Sequence, residues 1–407
     1  MYLDDLKILF ITTEYPPYIF GGGGIFAYNL TRSLVRNGIE VHVISAAPKK
    51  SIREKTVYGN GVKTYRVVIP QIPPQHLWFQ IFGLKQIINV IDEIRPSIIH
   101  SNSFSAALIF RYLRKNNYRI PSLITLHGYP RHYLRLSFHS LRFSRSFGQN
   151  IVYTVGYPLW DVLLLLELKY SDVIVTMSRF IAKSISEDYR VVPSKIVYIP
   201  NGIDLAIINS VECTYNNISI NREKDYLILS GGRLFYEKGI FLVPYIARRL
   251  LNRGFRNILF VIFGDGPYRG FIEKSIKRFN LSSNVKLIGS IPHDMVLELL
   301  CASDIVLIPS IYELMPMFML EALAMKKPII ALSSHYIEDF KSKGIIVREA
   351  RNIDDFVFKI IDTIKNIDKW REIARKNYEI LVKEYDISII AKRYVNVYKD
   401  LLQRSLK

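Results

Sequence analysis

The sequence predicts an α/β protein made of two doubly wound, Rossmann-like domains in succession. Three observations carry this prediction. Short apolar runs alternate with helix-length stretches, glycine clusters follow the strand-like runs, and the alternation breaks once at a polar, Asn-rich segment before starting again. Apolar runs that alternate with helices belong to a parallel sheet covered on both faces. At 407 residues the chain is also too long for a single core.

Each element follows in order. Lys7 to Thr12 reads as the first strand, Gly21 to Gly24 as a glycine-rich turn, and Phe26 to Arg36 as a helix stopped by Asn37-Gly38. Glu40 to Ser45 is the next strand. Later apolar runs at Ser97–His100, Ser122–His127, Val173–Met177 and Ile196–Ile199 continue the sheet. The first domain is expected over residues 1–206. After Asn201-Gly-Ile-Asp204 the stretch from Ile207 to Asp225 has no clear period and reads as a linker. The second domain is expected over 225–385, with strands at Tyr226–Ser230, Ile258–Phe263, Val285–Ile288, Ile305–Ile308 and Pro328–Ala331. Residues from Arg371 onward look helical and amphipathic.

Composition narrows the class. A hydrophobic content of 49% and an aromatic content of 13% support a packed core. The two cysteines, Cys213 and Cys301, are too few for a disulfide framework, which favours a reducing compartment. No secretory signal pattern opens the sequence. The formal net charge is +19, and from Ile94 to Trp160 there are nine Lys or Arg and no Asp or Glu. Such a face is either simply solvated or meets an anionic membrane surface or a phosphate-bearing substrate. No zinc-ligand spacing or basic repeat supports nucleic acid. The run Val162 to Leu168 is too short and too charged to span a bilayer and reads as a buried helix. The segment Arg131 to Arg145, which mixes Arg with Tyr, Leu and Phe, has the composition of an interfacial helix.

Two stretches carry candidate chemistry. Ser230-Gly-Gly-Arg-Leu-Phe-Tyr-Glu-Lys-Gly239 ends a strand in glycines and then supplies Arg233 and Lys238. Glycines permit close backbone approach and the two cations suit a diphosphate; a plain surface turn is the alternative. The second stretch, Ile308 to Ile330, is apolar nearly throughout yet contains Glu313 and Glu321. Buried carboxylates need partners, either protein groups or a ligand. Proline suits the first helical position, so Pro316 is expected there, with Met315 as the cap, Glu313 on the preceding loop and Glu321 in the second turn. The amides near Met317 and Phe318 would then be left for an anionic ligand. In open α/β sheets ligands bind at the carboxyl ends of the strands, which leads us to expect a cleft between the domains.

With Glu313-x7-Glu321, Gly232-Arg-Leu-x3-Lys-Gly239 and Asn201-Gly-Ile-Asp204 in this order, the chain resembles the family 4 glycosyltransferases, retaining nucleotide-sugar enzymes of the GT-B fold. The resemblance covers nearly the whole sequence. Glu14 to Ser45 is similar to the family's glycine-rich first loop and helix, Thr125-Leu-His-Gly128 to its His loop, and Ser178 and Gly264-Asp-Gly-Pro267 to further motifs. The resemblance implies that Arg233 and Lys238 bind the donor diphosphate, Glu321 the ribose, and Glu313 the donor sugar. It places His127 on the acceptor side. It brings Gly22, Gly23, Gly24 and Gly264, and the amides after Glu313 at Met317 and Phe318, to the donor. It implies a UDP- or GDP-sugar donor, no metal and no further cofactor, and a last helix, about 386–407, that crosses back to the first domain.

The sequence departs from the family in three places. Leu314-Met-Pro316 stands where many members have Gly-Phe-Gly, Lys326-Lys327 precedes Pro328 in place of a glycine, and Ser334-His335 replaces a later Gly-Gly, with Glu338 retained. Together these readings lead us to expect a hexosyltransferase in glycan or cell-envelope assembly. Its acceptor would be lipid-linked (a polyprenyl-phosphate glycan) or phosphorylated. It would be cytoplasmic, with peripheral association at the cytoplasmic face of the membrane. The alternatives on the same fold are a nucleotide-sugar epimerase and a catalytically silent nucleotide-sugar-binding protein. The second would bind donor yet release no nucleotide.

Overall fold

The computed structural model describes residues 6–19, 21–47, 56–57, 61–70, 72, 74–140, 155–211 and 226–405. The chain divides into two compact units. One holds the residues up to Gly202 together with Ile387 onward; the other holds Ile203–Asp386.

The first unit is built on an eight-stranded sheet. Its strands are β1 (Lys7–Thr12), β2 (Glu40–Ala47), β3 (Thr56–Val57), β4 (Lys63–Val68), β5 (Ile98–Asn102), β6 (Ser122–Leu126), β7 (Val173–Thr176) and β8 (Ile196–Tyr198). Their spatial order is β3-β4-β2-β1-β5-β6-β7-β8. All pairs are parallel except β3 on β4. β1 shows why the apolar runs are continuous. Ile8 and Phe10 pack with the helices Gly22–Arg36 and Ile387–Ser405, while Leu9 and Ile11 pack with the helix Gln75–Ile94 on the other side. A strand buried on both faces has no polar face to alternate with.

The second unit has a six-stranded parallel sheet: β9 (Tyr226–Gly231), β10 (Ile258–Phe263), β11 (Val285–Gly289), β12 (Ile305–Ile308), β13 (Ile329–Leu332) and β14 (Arg348–Ala350). The order β11-β10-β9-β12-β13-β14 is that of a Rossmann sheet, and it reverses direction between β9 and β12.

Several expectations are corrected. The glycines Gly22, Gly23 and Gly24 do not form a turn; they are the first turn of the helix Gly22–Arg36, whose cap is Gly21. Glycine is a poor helix former, but this helix is long, and Phe26, Ala27, Leu30 and Leu34 bury its inner face. Pro316 is the cap of the helix Met317–Ala324, not its first residue. Its ψ of 124° is extended, and its carbonyl accepts from the amide of Met319. The fixed proline φ suits either position, so ψ decides. The proposed linker opens with a short helix, Leu205–Asn209, capped by Asp204; residues 212–225 lie outside the described residues. The closing stretch is two helices, Ile367–Tyr385 and Ile387–Ser405, separated at Asp386. Cys301 is disulfide-bonded, a single bridge and not the framework that two cysteines exclude, while Cys213 lies outside the described residues. A count limits how many bridges can exist, not whether one forms.

Candidate active site

The site in the second unit forms where its sheet reverses. After β9 the chain passes Gly231-Gly232 to Arg233, and after β12 it passes Pro309 and Ser310 to Glu313. Two backbone bonds join these loops: the carbonyl of Glu237 accepts from the amides of Ile311 (2.8 Å) and Tyr312 (3.2 Å). Gly239 lets them close. Its φ is +61°, and a Cβ there would lie 1.9 Å from the Pro309 carbonyl oxygen. The result places two residues singled out in the sequence against each other: the Lys238 ammonium donates to Glu313 Oε1, which also accepts from Ser310 Oγ at 3.2 Å. The Glu237 side chain beneath is buried, and desolvation raises its pKa despite the nearby Arg233 and Lys238.

Arg233 is exposed, with its guanidinium 5.4 Å from the Phe235 ring centroid. Gly264 closes the same edge after β10. Its φ is +111°, and a Cβ would sit 1.9 Å from the Gly232 carbonyl oxygen. Phe318 packs edge-on against Phe263 at 5.4 Å, which seats the start of the helix Met317–Ala324 beside β10. Pro316 offers no side-chain cap, so the first-turn amides at Met317 and Phe318 receive none from it.

The two acids of the apolar stretch are therefore met by protein groups, but not by each other. Glu321, 4% exposed, is bonded to His293 Nε2 at 2.8 Å. That bond raises the imidazole pKa against the opposing effect of burial. His293 was not foreseen. A lone acid in an apolar helix signals that a partner exists, yet nothing in the spacing says which residue across the fold supplies it. Glu338 pairs with Lys341 at 2.9 Å on the surface, in the helix that Ser334 caps and His335 begins.

In the first unit, His127 follows β6. Its amide donates to Ser103 Oγ at 2.7 Å, and its ring lies 4.6 Å from that of Phe26. The residue keeps some accessible surface, but Nε2 is enclosed and has no partner. Desolvation lowers the imidazole pKa to about 3, so the ring is neutral near neutral pH. A Cβ on Gly23 would stand 3.6 Å from this ring. The glycine helix start and the histidine, far apart in sequence, are thus neighbours.

Sequence reasoning also missed the loop that holds His127. After β5, Ser103 and Phe104 both adopt φ of +42°, an uncommon conformation for such residues. Asn102 Nδ2 donates to Thr12 Oγ1 (3.0 Å) and to the Gly23 carbonyl (3.2 Å), while Ser105 Oγ meets Thr13 Oγ1 at 3.0 Å. The anchor is Glu167, fully buried on the helix Tyr157–Tyr170. Its Oε1 accepts from the Ala106 amide at 2.8 Å and from Ser101 Oγ. Burial pushes this carboxyl up to about 7, against the pull of those donors. The apolar run Val162 to Leu168 belongs to this helix. Leu163, Leu164 and Leu168 are buried and Val162 and Leu165 exposed, and no described helix is long and apolar enough to cross a membrane. In the expected interfacial segment, Arg131 is bound to Asp161 at 3.2 Å; residues 141–145 lie outside the described residues.

Comparison with known proteins identifies the family. Residues 20–207 match the Glycosyltransferase Family 4 model and residues 214–379 match Glycosyl transferases group 1. An uncharacterized glycosyltransferase of Methanocaldococcus jannaschii is 26% identical, over 97% of this chain and 98% of its own length. The TuaC glycosyltransferase of Bacillus subtilis, whose name assigns it to teichuronic acid biosynthesis, is 24% identical over 98% of this chain and all of its own. Among solved structures, the Anabaena protein HepE in complex with UDP-glucose superposes with a TM-score of 0.73 at 16% identity, covering 97% of this chain and all of the other. The fold is therefore that of the GT-B glycosyltransferases. With both halves matched, the chain belongs to the group 1, family 4 glycosyltransferases and is a glycosyltransferase enzyme.

Proposed function

We propose that the protein transfers a sugar, with retention, from a nucleotide-diphosphate sugar to an acceptor hydroxyl in glycan or cell-envelope assembly. The observation that carries this reading is the Lys238–Glu313 pair, held beside Arg233 at the reversal point of the second sheet. As the bond from the anomeric carbon to the diphosphate oxygen breaks, the transition state becomes oxocarbenium-like and negative charge grows on the leaving group. Lys238 and Arg233 supply fixed positive charge for it, which stabilises it without reorganisation. The acceptor oxygen attacks from the same face, and its proton passes to the departing phosphate oxygen. No metal is required in this scheme.

Glu313 orients Lys238 and contacts the donor sugar. Glu321, set by His293, takes the ribose hydroxyls. Gly264 and the amides at Met317 and Phe318 admit the phosphates or sugar hydroxyls. Gly22, Gly23, Gly24 and the neutral His127 serve the reaction from the first unit. Support for a nucleotide-sugar donor comes from the UDP-glucose held by HepE, and for an envelope setting from the name of TuaC. The acid-free basic stretch Ile94 to Trp160 favours a phosphorylated or lipid-linked acceptor at an anionic membrane surface.

The test is nucleoside diphosphate release from a panel of UDP-, GDP- and ADP-sugars, with and without a polyprenyl-phosphate lipid extract, beside Glu321→Ala. Release that depends on one donor, rises with lipid and falls in the variant supports the reading. Tight binding of one donor without release under any condition replaces it with a silent binding protein. Interconversion of free nucleotide sugars without acceptor replaces it with an epimerase.

A further inference from the structure

We propose that the first unit carries an anion site at the opposite edge of its sheet from His127, and that it takes a phosphate-bearing ligand. A cavity of about 800 Å³ opens there. Its walls come from the residues just before β6, β7 and β8 and from the end of the helix Ile387–Ser405. His127 and the glycine helix start follow the carboxyl ends of strands, whereas this cavity lies at the amino ends, so the two are separate places on one sheet.

Five cationic side chains line the cavity: Arg114, Arg119, Lys169, Lys195 and Arg404. The single acid among the lining residues, Asp172, is already engaged by Arg114 and by the Ser122 amide. Arg119, Lys169 and Arg404 form no ion pair among the described residues. Lys195 donates to the Leu168 carbonyl, and desolvation lowers its pKa. An anion placed nearby would offset that cost. Part of this charge answers helix ends, because cations near a helix C-terminus are favourable. Arg114, Lys169 and Arg404 stand in last turns of helices, and Lys169 lies 5.5 Å from the Tyr170 ring centroid. Arg119 lies beyond the end of its helix, and helix ends alone do not gather five cations around one concavity.

A second, independent feature points to a ligand. Ser171, 3% exposed, lines the cavity, and its Oγ is buried without any hydrogen-bond partner. A buried hydroxyl lacking a partner is costly. A phosphate oxygen would accept from it while the guanidinium groups bind the same group in the forked geometry that favours phosphate. The volume exceeds one phosphate, which suits a pyrophosphate, a phosphosugar or the headgroup of an anionic lipid.

The inference does not depend on the donor chemistry proposed above. The experiment is a calorimetric titration of the full chain with inorganic pyrophosphate, using wild type, Arg119→Ala/Arg404→Ala and Lys238→Ala. Both arginines are exposed, so the double variant is expected to fold. The expected result is a binding step that the double variant weakens at least tenfold and Lys238→Ala leaves in place. Identical binding by wild type and double variant, or a step lost only in Lys238→Ala, overturns the site. Co-sedimentation with vesicles of anionic against neutral phospholipid then sorts the source. Loss in the double variant assigns a lipid headgroup, and retention assigns a free phosphate compound.

Discussion

Glu321 and His293 are joined at 2.8 Å, the acid almost wholly enclosed and the imidazole nearer the surface. The pair resolves how an apolar helix tolerates a carboxylate and defines the direction in which that carboxylate faces. Replacing His293 by Ala should raise the KM for donor roughly threefold to tenfold, the worth of one lost hydrogen bond, and leave kcat within about twofold. Because the bond to Glu321 raises the imidazole pKa, its stabilising contribution is complete below the unfolded value of about 6.5 and fades as pH rises through the folded one. The stability gap between wild type and His293→Ala, measured by denaturant midpoint, should be wider at pH 6 than at pH 9.

Lys238 is expected to act on the transition state. Lys238→Ala should lower kcat by about 10²- to 10³-fold, as loss of one charge-stabilising donor does, with a smaller change in donor affinity. Glu313→Gln keeps a hydrogen-bond acceptor for Lys238 but not the charge, and should fall between wild type and Lys238→Ala. Steady-state kinetics on the donor identified by the panel decides this. Equal kcat in Lys238→Ala and wild type would remove the lysine from the mechanism.

If fixed side-chain cations do the work that a divalent ion does elsewhere, chelation should have no effect. Donor turnover after exhaustive EDTA treatment should match that of the untreated enzyme within about 20%. A loss restored by Mg²⁺ or Mn²⁺ would reverse the assignment of Arg233 and Lys238.

Gly239 offers a test of architecture. A methyl group there meets the Pro309 carbonyl at 1.9 Å on a backbone with φ of +61°. Gly239→Ala should destabilise the protein by about 3 kcal/mol or more, the range for backbone strain combined with a clash. Gly254 also has positive φ but open space around it, so Gly254→Ala should cost about 1 kcal/mol. Thermal denaturation of the two variants side by side checks the contrast.

Glu167 predicts a pH dependence with a defined sign. Its carboxyl, normally near 4.5, titrates at about 7 in the folded chain. The folded state thus holds a proton that the unfolded state has released, and stability falls as pH rises between those values. The contribution is on the order of 3 kcal/mol. Glu167→Gln should flatten the stability profile between pH 5 and pH 8 relative to wild type. The same shift in denaturant midpoint between pH 5 and pH 8 in wild type and variant would contradict the assignment.

Much of the fold was legible because its signal is local. Runs such as Ile258–Phe263 are apolar throughout, and a strand buried on both faces writes that directly into the sequence. Lys238 and Glu313 were both singled out by motif order as site residues, but the bond between them was not, since it joins loops 75 positions apart. The partners of other groups were hidden for a physical reason. His293 reaches Glu321 across 28 positions, and Glu167 reaches the loop at Ala106 across 61, so neither bond leaves a periodic trace. The start of the helix Gly22–Arg36 was misplaced because glycine propensity argues for a turn, while burial of Phe26 and Leu30 overrode it. Pro316 was misplaced by one residue because φ alone does not separate a cap from a first turn.

The helix Ile387–Ser405 completes the core of the first unit. Tyr398 is bonded to His100 at 2.7 Å and Tyr394 to Thr125 at 3.0 Å, both beneath the sheet. A ribosome makes these residues only after the entire second unit. The first unit therefore waits, with part of its apolar surface uncovered, until the residues of this helix arrive. Nascent chains stopped before residue 387 should hold a protease-resistant second unit alongside a first unit that is still open to attack.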